Sequence, residues 1–287
     1  MKWYRKGEVT YMTTTSSIEP ILTEAEVAQF HEQGYLLIKG VLTRDEAMYY
    51  RNHILDLIPR DLNIPTHWGV HDGRIKPMNE GDNQTFDTPE LLPLLINERL
   101  YKVAVQLLGS TRLRSSDGSL GVTLRNAPYA STLSQRIHLD ASVPSTLDNF
   151  LFTPAEVQVG GCYYFGDVES QGGGIHVVPG GHRLVEEKAR GQAQGRQLYE
   201  KWKNITDFPE TVEVTGEAGD FAILHHLMPH AASNNRQPMP RVAQFTRFMR
   251  EDQPHYPARP AAPDRYNQAQ LRVMTPLGRK LLGVDPW

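Results

Sequence analysis

His138 and Asp140, two positions apart, are followed far along the chain by His230, and Arg241 stands eleven positions beyond that second histidine. Two imidazoles and one carboxylate make the facial triad that suits a non-haem Fe(II) site with open coordination positions. An arginine past the last ligand is where a dicarboxylate co-substrate needs its counter-ion, because a guanidinium fork pairs bidentately with a carboxylate. Each piece alone is weak in a chain with eleven histidines; together they point to a metal and a chelating 2-oxo acid. On an extended segment residues two apart face the same way, so 138 and 140 reach one ion while Leu139 turns away. His230 must then come from another strand or its edge. His225 and His226 precede it closely and are rival ligands; otherwise they read as one core side chain and one near the pocket rim.

The elements that must position these residues come in two textures. Thr23 to Glu26 and Thr43 to Glu46 are capping boxes, predicting a helix that stops at Gly34 and a second that ends before Pro59, with a strand from Tyr35 to Val41 between them. Asn97 caps a third helix that Gly109 ends, with Leu100, Val103, Ala104, Leu107 and Leu108 on one face. Beyond it the pattern predicts short strands: Ser119 to Arg125, Glu156 to Phe165, Gly174 to Val178, Thr211 to Val214, Asp220 to Leu224 and Val242 to Met249. Alternation puts Tyr164 on the face of Cys162 and leaves His176 facing either the cavity or the outside. His182 in the PGGH segment reads as a hydrogen-bonding anchor of its turn. Gly172 to Gly174 make a hairpin connection, since no helix with a phosphate-binding lysine follows.

The fold class is therefore mainly β with flanking helices, a jelly roll with an N-terminal helical layer. Residues 1–20 read as a tail and 21–287 as one domain. Residues 60–93 form a lid-like loop whose Trp68, His71 and Arg74 are candidate substrate contacts, and 185–205 a helical, solvated insertion. The Pro- and Arg-rich end from Pro254 is expected to wrap the outside.

A net charge of -3 gives no reason to expect a nucleic-acid partner. No apolar run approaches the roughly 20 residues needed to span a bilayer. A lone cysteine, Cys162, excludes an internal disulfide and a thiolate cluster and fits a reducing cytoplasm. The expected partner is a small molecule.

Four segments resemble the phytanoyl-CoA dioxygenase family of Fe(II)/2-oxoglutarate oxygenases: LTEAEVAQFHEQGYLLIKGVLTRDEA near the start, HLD at 138–140, GGGIHVVPGGHR at 172–183, and GDFAILHHLMPHAASNNRQPMPR at 219–241. The resemblance implies a double-stranded β-helix of cupin-like form, with His138, Asp140 and His230 holding Fe(II) and Arg241 holding the far carboxylate of 2-oxoglutarate. It selects His230 over His225 and His226, and it gives Arg247 and Arg250 no role. Ser233 and Tyr164 are further candidates for contact with the co-substrate. Leu139 replaces the family's frequent glutamine, PGGH its PGSH, Ala232 a small polar residue, and Cys162 a large aromatic.

The implied reaction consumes O2 and 2-oxoglutarate, releases succinate and CO2, and oxidises, foremost by hydroxylation, a C–H bond of a small organic metabolite. Retention of Asp140 argues against halogenation. The family's name admits a CoA ester; no concentrated basic patch serves its phosphates, so a free acid, alkaloid, terpenoid or other secondary metabolite stands beside it. Two other readings are a cupin-type metal oxygenase that uses no 2-oxo acid and a non-catalytic ligand-binding barrel.

Overall fold

Helix starts and stops follow the side chains at their ends. In α1 (Glu24–Gln33) and α2 (Arg44–Asp56), Thr23 and Thr43 accept the amides of Glu26 and Glu46, whose carboxylates accept the threonine amides in return. Gly34 ends α1 at φ 79. A Cβ there would also fall 2.3 Å from His182 Nδ1, so both conformation and space require glycine. Between the two helices lies β1 (Tyr35–Ile38). The computed structural model describes residues 18–57, 74–75, 88–125, 131–133, 137–139, 157–189, 210–252 and 265–287. Among these, no helix is long and apolar enough to cross a membrane.

After β2 (Arg74–Ile75) come α3 (Leu92–Leu95), at the end of the segment expected to be irregular, and α4 (Glu98–Leu108), capped by Asn97 and ended by Gly109 at φ 63. The strands are β3 (Leu113–Thr123), β4 (Gln158–Tyr164), β5 (Ile175–Val177), β6 (Val212–Val214), β7 (Phe221–His225), β8 (His230–Ala232) and β9 (Arg241–Arg250), with α5 (Gly181–Ala189) between β5 and β6. They form a six-stranded sheet in the order β1, β7, β4, β9, β3, β2 and a three-stranded sheet in the order β6, β5, β8. All pairings are antiparallel, the two-layer arrangement of a jelly roll with neither sheet closed on itself.

The six-stranded sheet has two unlike faces, because side chains alternate. Val159, Tyr163, Phe165, Phe221, Ile223, Val242 and Phe248 join the large apolar cluster beneath the helices. Cys162, Tyr164, Ala222, Leu224 and Ala243 face the other way and pack with Ile175, Val177 and Val214 of the smaller sheet. Tyr164 thus shares the face of Cys162, as alternation predicts. His176 lies on the opposite side of β5 from Ile175 and Val177, with Nδ1 3.0 Å from Thr211 Oγ1.

Three expectations need correcting. β3 begins at Leu113, not Ser119: the polar stretch from Arg114 to Gly118 has no strand pattern of its own and is held by β9, across a register shift between Asp117 and Leu120. The end of the chain does not simply wrap the outside. In α6 (Gln268–Val273), α7 (Pro276–Leu281) and the residues around them, Met274, Leu281, Leu282 and Val284 are buried in the main cluster, and Trp287 Nε1 donates to the Leu113 carbonyl. The signal was present in the caps Asn267 and Thr275. Finally, α5 starts at Gly181 and turns His182 and Val185 inward; the remainder of the expected insertion lies outside the described residues, as does most of the loop 60–93.

Candidate active site

His138 and His230 are direct cross-strand partners. Each amide donates to the other's carbonyl, at 2.9 and 3.0 Å. Opposed residues in such a pair project to the same side, and the two rings lie 4.5 Å apart between centroids. His230 Nδ1 sits 2.9 Å from the Met228 carbonyl. A carbonyl can only accept, so this nitrogen carries the proton and leaves the Nε2 lone pair for a metal. Leu139 is buried on the other side of the strand from His138. Asp140 lies outside the described residues; among those described, no three His, Cys, Asp or Glu groups converge on one point.

Arg241 opens β9 and is only 6% exposed. Its Nη2 lies 3.5 Å from Cys162 Sγ, and its Cζ is 5.7 Å from the Tyr164 ring and 6.0 Å from the Phe245 ring. Nε has no hydrogen-bond partner among the described residues. A guanidinium taken out of water without a carboxylate is costly unless a ligand anion completes it. The far carboxylate of a 2-oxo diacid fits that requirement, and the two imidazoles fit a divalent metal.

The auxiliary candidates are engaged with the backbone. Ser233 donates to the Gly174 carbonyl at 2.6 Å, and Tyr164 donates to the Val214 carbonyl at 2.7 Å. Burial pushes the Tyr164 phenol far above its ordinary pKa, so it stays a neutral donor. What Tyr164 presents to Arg241 is its ring. Trp68 and His71 lie outside the described residues, and Arg74 is described only as the backbone of β2, paired with Thr123.

Side chains that the motif did not point to complete the cavity. Gly160, Leu224, His226, Phe245 and Arg247 line it together with His230. His225, which also lines it, stacks on His226 at 4.6 Å and lies tilted against His182 at 4.9 Å. His182 Nε2 lies 3.2 Å from the His31 carbonyl, which ties the start of α5 to the end of α1, the anchoring role its turn suggested. Burial is the main cause that depresses this cluster's pKa values: His182 to about 4, His226 to about 3 and His225 well below the ordinary value. Alternation along β9 was the available signal for Arg247, since 241, 243, 245 and 247 share a face; nothing in the sequence said which face was hollow.

A buried carboxylate holds two strands together. Asp220, 2% exposed, accepts the amides of Gly40 and Glu217 at 2.9 and 2.8 Å and Lys39 Nζ at 2.9 Å, which fastens the end of β1 to the start of β7. The Gly-Asp pair of the 219–241 segment is therefore structural.

The sequence profile of the family "Phytanoyl-CoA dioxygenase (PhyH)" matches residues 30–243. No curated protein matches the chain by sequence. Among solved structures, the chain is similar to the epimerase SnoN from nogalamycin biosynthesis in complex with Fe3+, alpha ketoglutarate and nogalamycin RO, at 23% identity, covering 79% of this chain and 83% of that one, with a TM-score of 0.54. It is also similar to the carbocyclase SnoK of the same biosynthesis, at 21% identity over 81% and 87% with a TM-score of 0.53. EctD from S. alaskensis with 2-oxoglutarate and 5-hydroxyectoine matches at 16% over 84% and 80%, with a TM-score of 0.52. At these identities the structures speak for the jelly-roll fold. The family match, over most of the chain, speaks for the chemistry: the protein belongs to the phytanoyl-CoA dioxygenase family and is a non-haem iron, 2-oxoglutarate-dependent oxidoreductase.

Proposed function

We propose that the protein hydroxylates a C–H bond of a small organic metabolite, with His138, Asp140 and His230 holding Fe(II) and Arg241 holding the C5 carboxylate of 2-oxoglutarate. The observation that carries this reading is the buried Arg241 guanidinium, whose Nε lacks a partner among the described residues. When bound, Fe(II) and the chelated 2-oxo acid supply oxidation of the C–H bond, coupled to loss of CO2 and formation of succinate.

The chain's own residues bind, orient and exclude water. The Met228 carbonyl holds the His230 tautomer, a contact of the kind whose loss weakens metal binding roughly 10- to 100-fold. Asp140 lies two positions beyond His138, and strand alternation would turn its carboxylate to the same side. Cys162, Tyr164 and Phe245 surround Arg241, and such a low-dielectric setting strengthens a charge-assisted pair. A substrate from secondary metabolism is supported by the similar structures from nogalamycin biosynthesis.

The test is an anaerobic titration of the Fe(II)-loaded protein with 2-oxoglutarate, following the weak visible charge-transfer band of the chelate. The band is expected in the native protein, weakened in Arg241→Ala and absent in His230→Ala. Tight iron binding with no band would overturn the 2-oxoglutarate assignment in favour of a cupin-type oxygenase. Failure to bind iron would favour a ligand-binding barrel.

A further inference from the structure

His226 follows β7 and is clamped to β4. Its amide donates to the Gln158 carbonyl at 3.0 Å, and its Nδ1 accepts the Gln158 amide at 3.2 Å. Burial, aided by the positive charge of Arg247, holds the imidazole neutral, with a pKa of about 3. A neutral ring whose Nδ1 accepts must carry its proton on Nε2. That Nε2–H is buried, the residue being 7% exposed, and has no acceptor among the described residues. Leaving such a donor unmet works against folding. The ring lines the same cavity as His230, so the missing acceptor is one that a ligand can supply.

Among the described residues that line this cavity, the charged side chain is that of Arg247. Arg247 lies opposite Gly160 in the β4–β9 register. A Cβ on Gly160 would meet the Arg247 stem at 3.4 Å, so the glycine leaves room for it. No Asp or Glu lines the cavity among the described residues, whereas Leu224 and Phe245 do. Arg247 lies six residues along the strand from Arg241, roughly 20 Å at strand rise, too far for both to hold one carboxylate.

We propose that His226 and Arg247 form a recognition site for a carboxylate of the primary substrate, with His226 Nε2–H as the directional donor and Arg247 as the charge partner. The substrate is then an organic acid whose apolar body lies against Leu224 and Phe245. This assignment rests on the oxygenase reading, since it places the acid beside the metal-binding His230.

The test uses protein loaded with Zn(II) and 2-oxoglutarate, so that Arg241 is occupied, with benzoate as probe and benzamide as its neutral counterpart. In 15N-histidine-labelled protein, long-range 1H–15N correlations should show His226 as the Nε2–H tautomer, and benzoate should shift that proton downfield saturably. By calorimetry, benzamide should bind roughly tenfold more weakly than benzoate. His226→Asn keeps an acceptor for the Gln158 amide but removes the ε donor, and should weaken benzoate binding at least roughly tenfold. His226→Gln offers a donor near the ε position and should stay within about threefold of native. Arg247→Gln, on a half-buried residue, should weaken benzoate binding at least as much as His226→Asn does.

A purely structural role for His226 predicts the opposite order, with Asn tolerated and Gln not. That order overturns the proposal, as does equal affinity for benzoate and benzamide, or no benzoate binding at all. An Fe(II) and 2-oxoglutarate complex that lacks its visible band would count against the oxygenase reading alone, because the His226 signals are read without iron.

Discussion

The two faces of the six-stranded sheet are made by the same strands and obey different rules. On the helix side, Tyr163 and Phe221 meet edge to face, with centroids 4.9 Å apart, and Tyr163 spends its hydroxyl on the Leu94 carbonyl at 2.7 Å. On the cavity side, β4 presents Gly160, Cys162 and Tyr164, and β9 presents Arg241, Phe245 and Arg247. Arg241 Nε and His226 Nε2 are left without partners among the described residues. Close packing marks a face whose work is stability, although Gln244 Nε2, on the side of Tyr163, also lacks a partner among the described residues. Small residues, a cavity and cationic or imidazole donors beside it mark a face whose partners arrive from solution. Gly160 and Gly161 put the contrast in adjacent positions: a Cβ at 161 would lie 1.8 Å from the Ala222 carbonyl oxygen, whereas one at 160 finds nothing closer than 3.4 Å.

Changes on the helix side should therefore cost stability, and changes on the cavity side should cost ligand binding. The largest effect is expected for Tyr163→Ala, which empties a fully buried site and strands the Leu94 carbonyl; a loss of about 3–5 kcal/mol is expected from denaturant melts. A loss below about 1 kcal/mol would erase the distinction between the faces. Arg241→Ala should behave in the converse way. Its unfolding midpoint should hold or rise, since an incompletely paired buried charge is removed, while 2-oxoglutarate binding measured by calorimetry weakens roughly 10- to 100-fold. Equal damage to both properties would mean that Arg241 is a packing residue.

The histidine cluster sharpens the comparison through pH. His182, His225 and His226 have folded-state pKa values below the ordinary 6.5. The unfolded chain therefore binds more protons between that value and about 4 for His182 or about 3 for His226. Stability is fully present above pH 6.5 and falls as the pH drops, by about 1.4 kcal/mol per pH unit for each ring still neutral in the folded state. Thermal melts at pH 7 and pH 5 should show the drop, and His182→Gln should make it shallower. A melting temperature that does not change over this interval would show the rings to be more hydrated than their burial indicates. The smallest change in stability is expected for Gly160→Ala, within about 1 kcal/mol of native. Its added methyl presses on the Arg247 stem, so the benzoate affinity of the cavity should fall while the 2-oxoglutarate affinity stays. A fall in both would place Gly160 nearer Arg241 than the strand register does.

Much of this was legible in the residue order, where the cause is local. Thr23, Thr43, Asn97, Gly34 and Gly109 set helix ends through contacts within a turn, and alternation put Tyr164 with Cys162 and turned Leu139 away from His138. His138, His230 and Arg241 stood out as candidates because their types are chemically rare in combination; the structure sets the two histidines opposite each other and buries Arg241 at the start of β9. Pairing was not legible. The strand character of Arg114 to Gly118 comes from β9, and the closure of the core by Leu281 and Leu282 depends on where α7 meets Ile96. The opposition of His138 and His230 across one ladder was required by the motif, but only the register of distant strands could supply it. His226 and Arg247 show the same limit most clearly. By sequence one was a rival ligand and the other an arginine without a pattern; both are cavity residues because the helices cover one side of the sheet and the smaller sheet faces the other across the cavity, a choice made by packing between segments far apart in the chain.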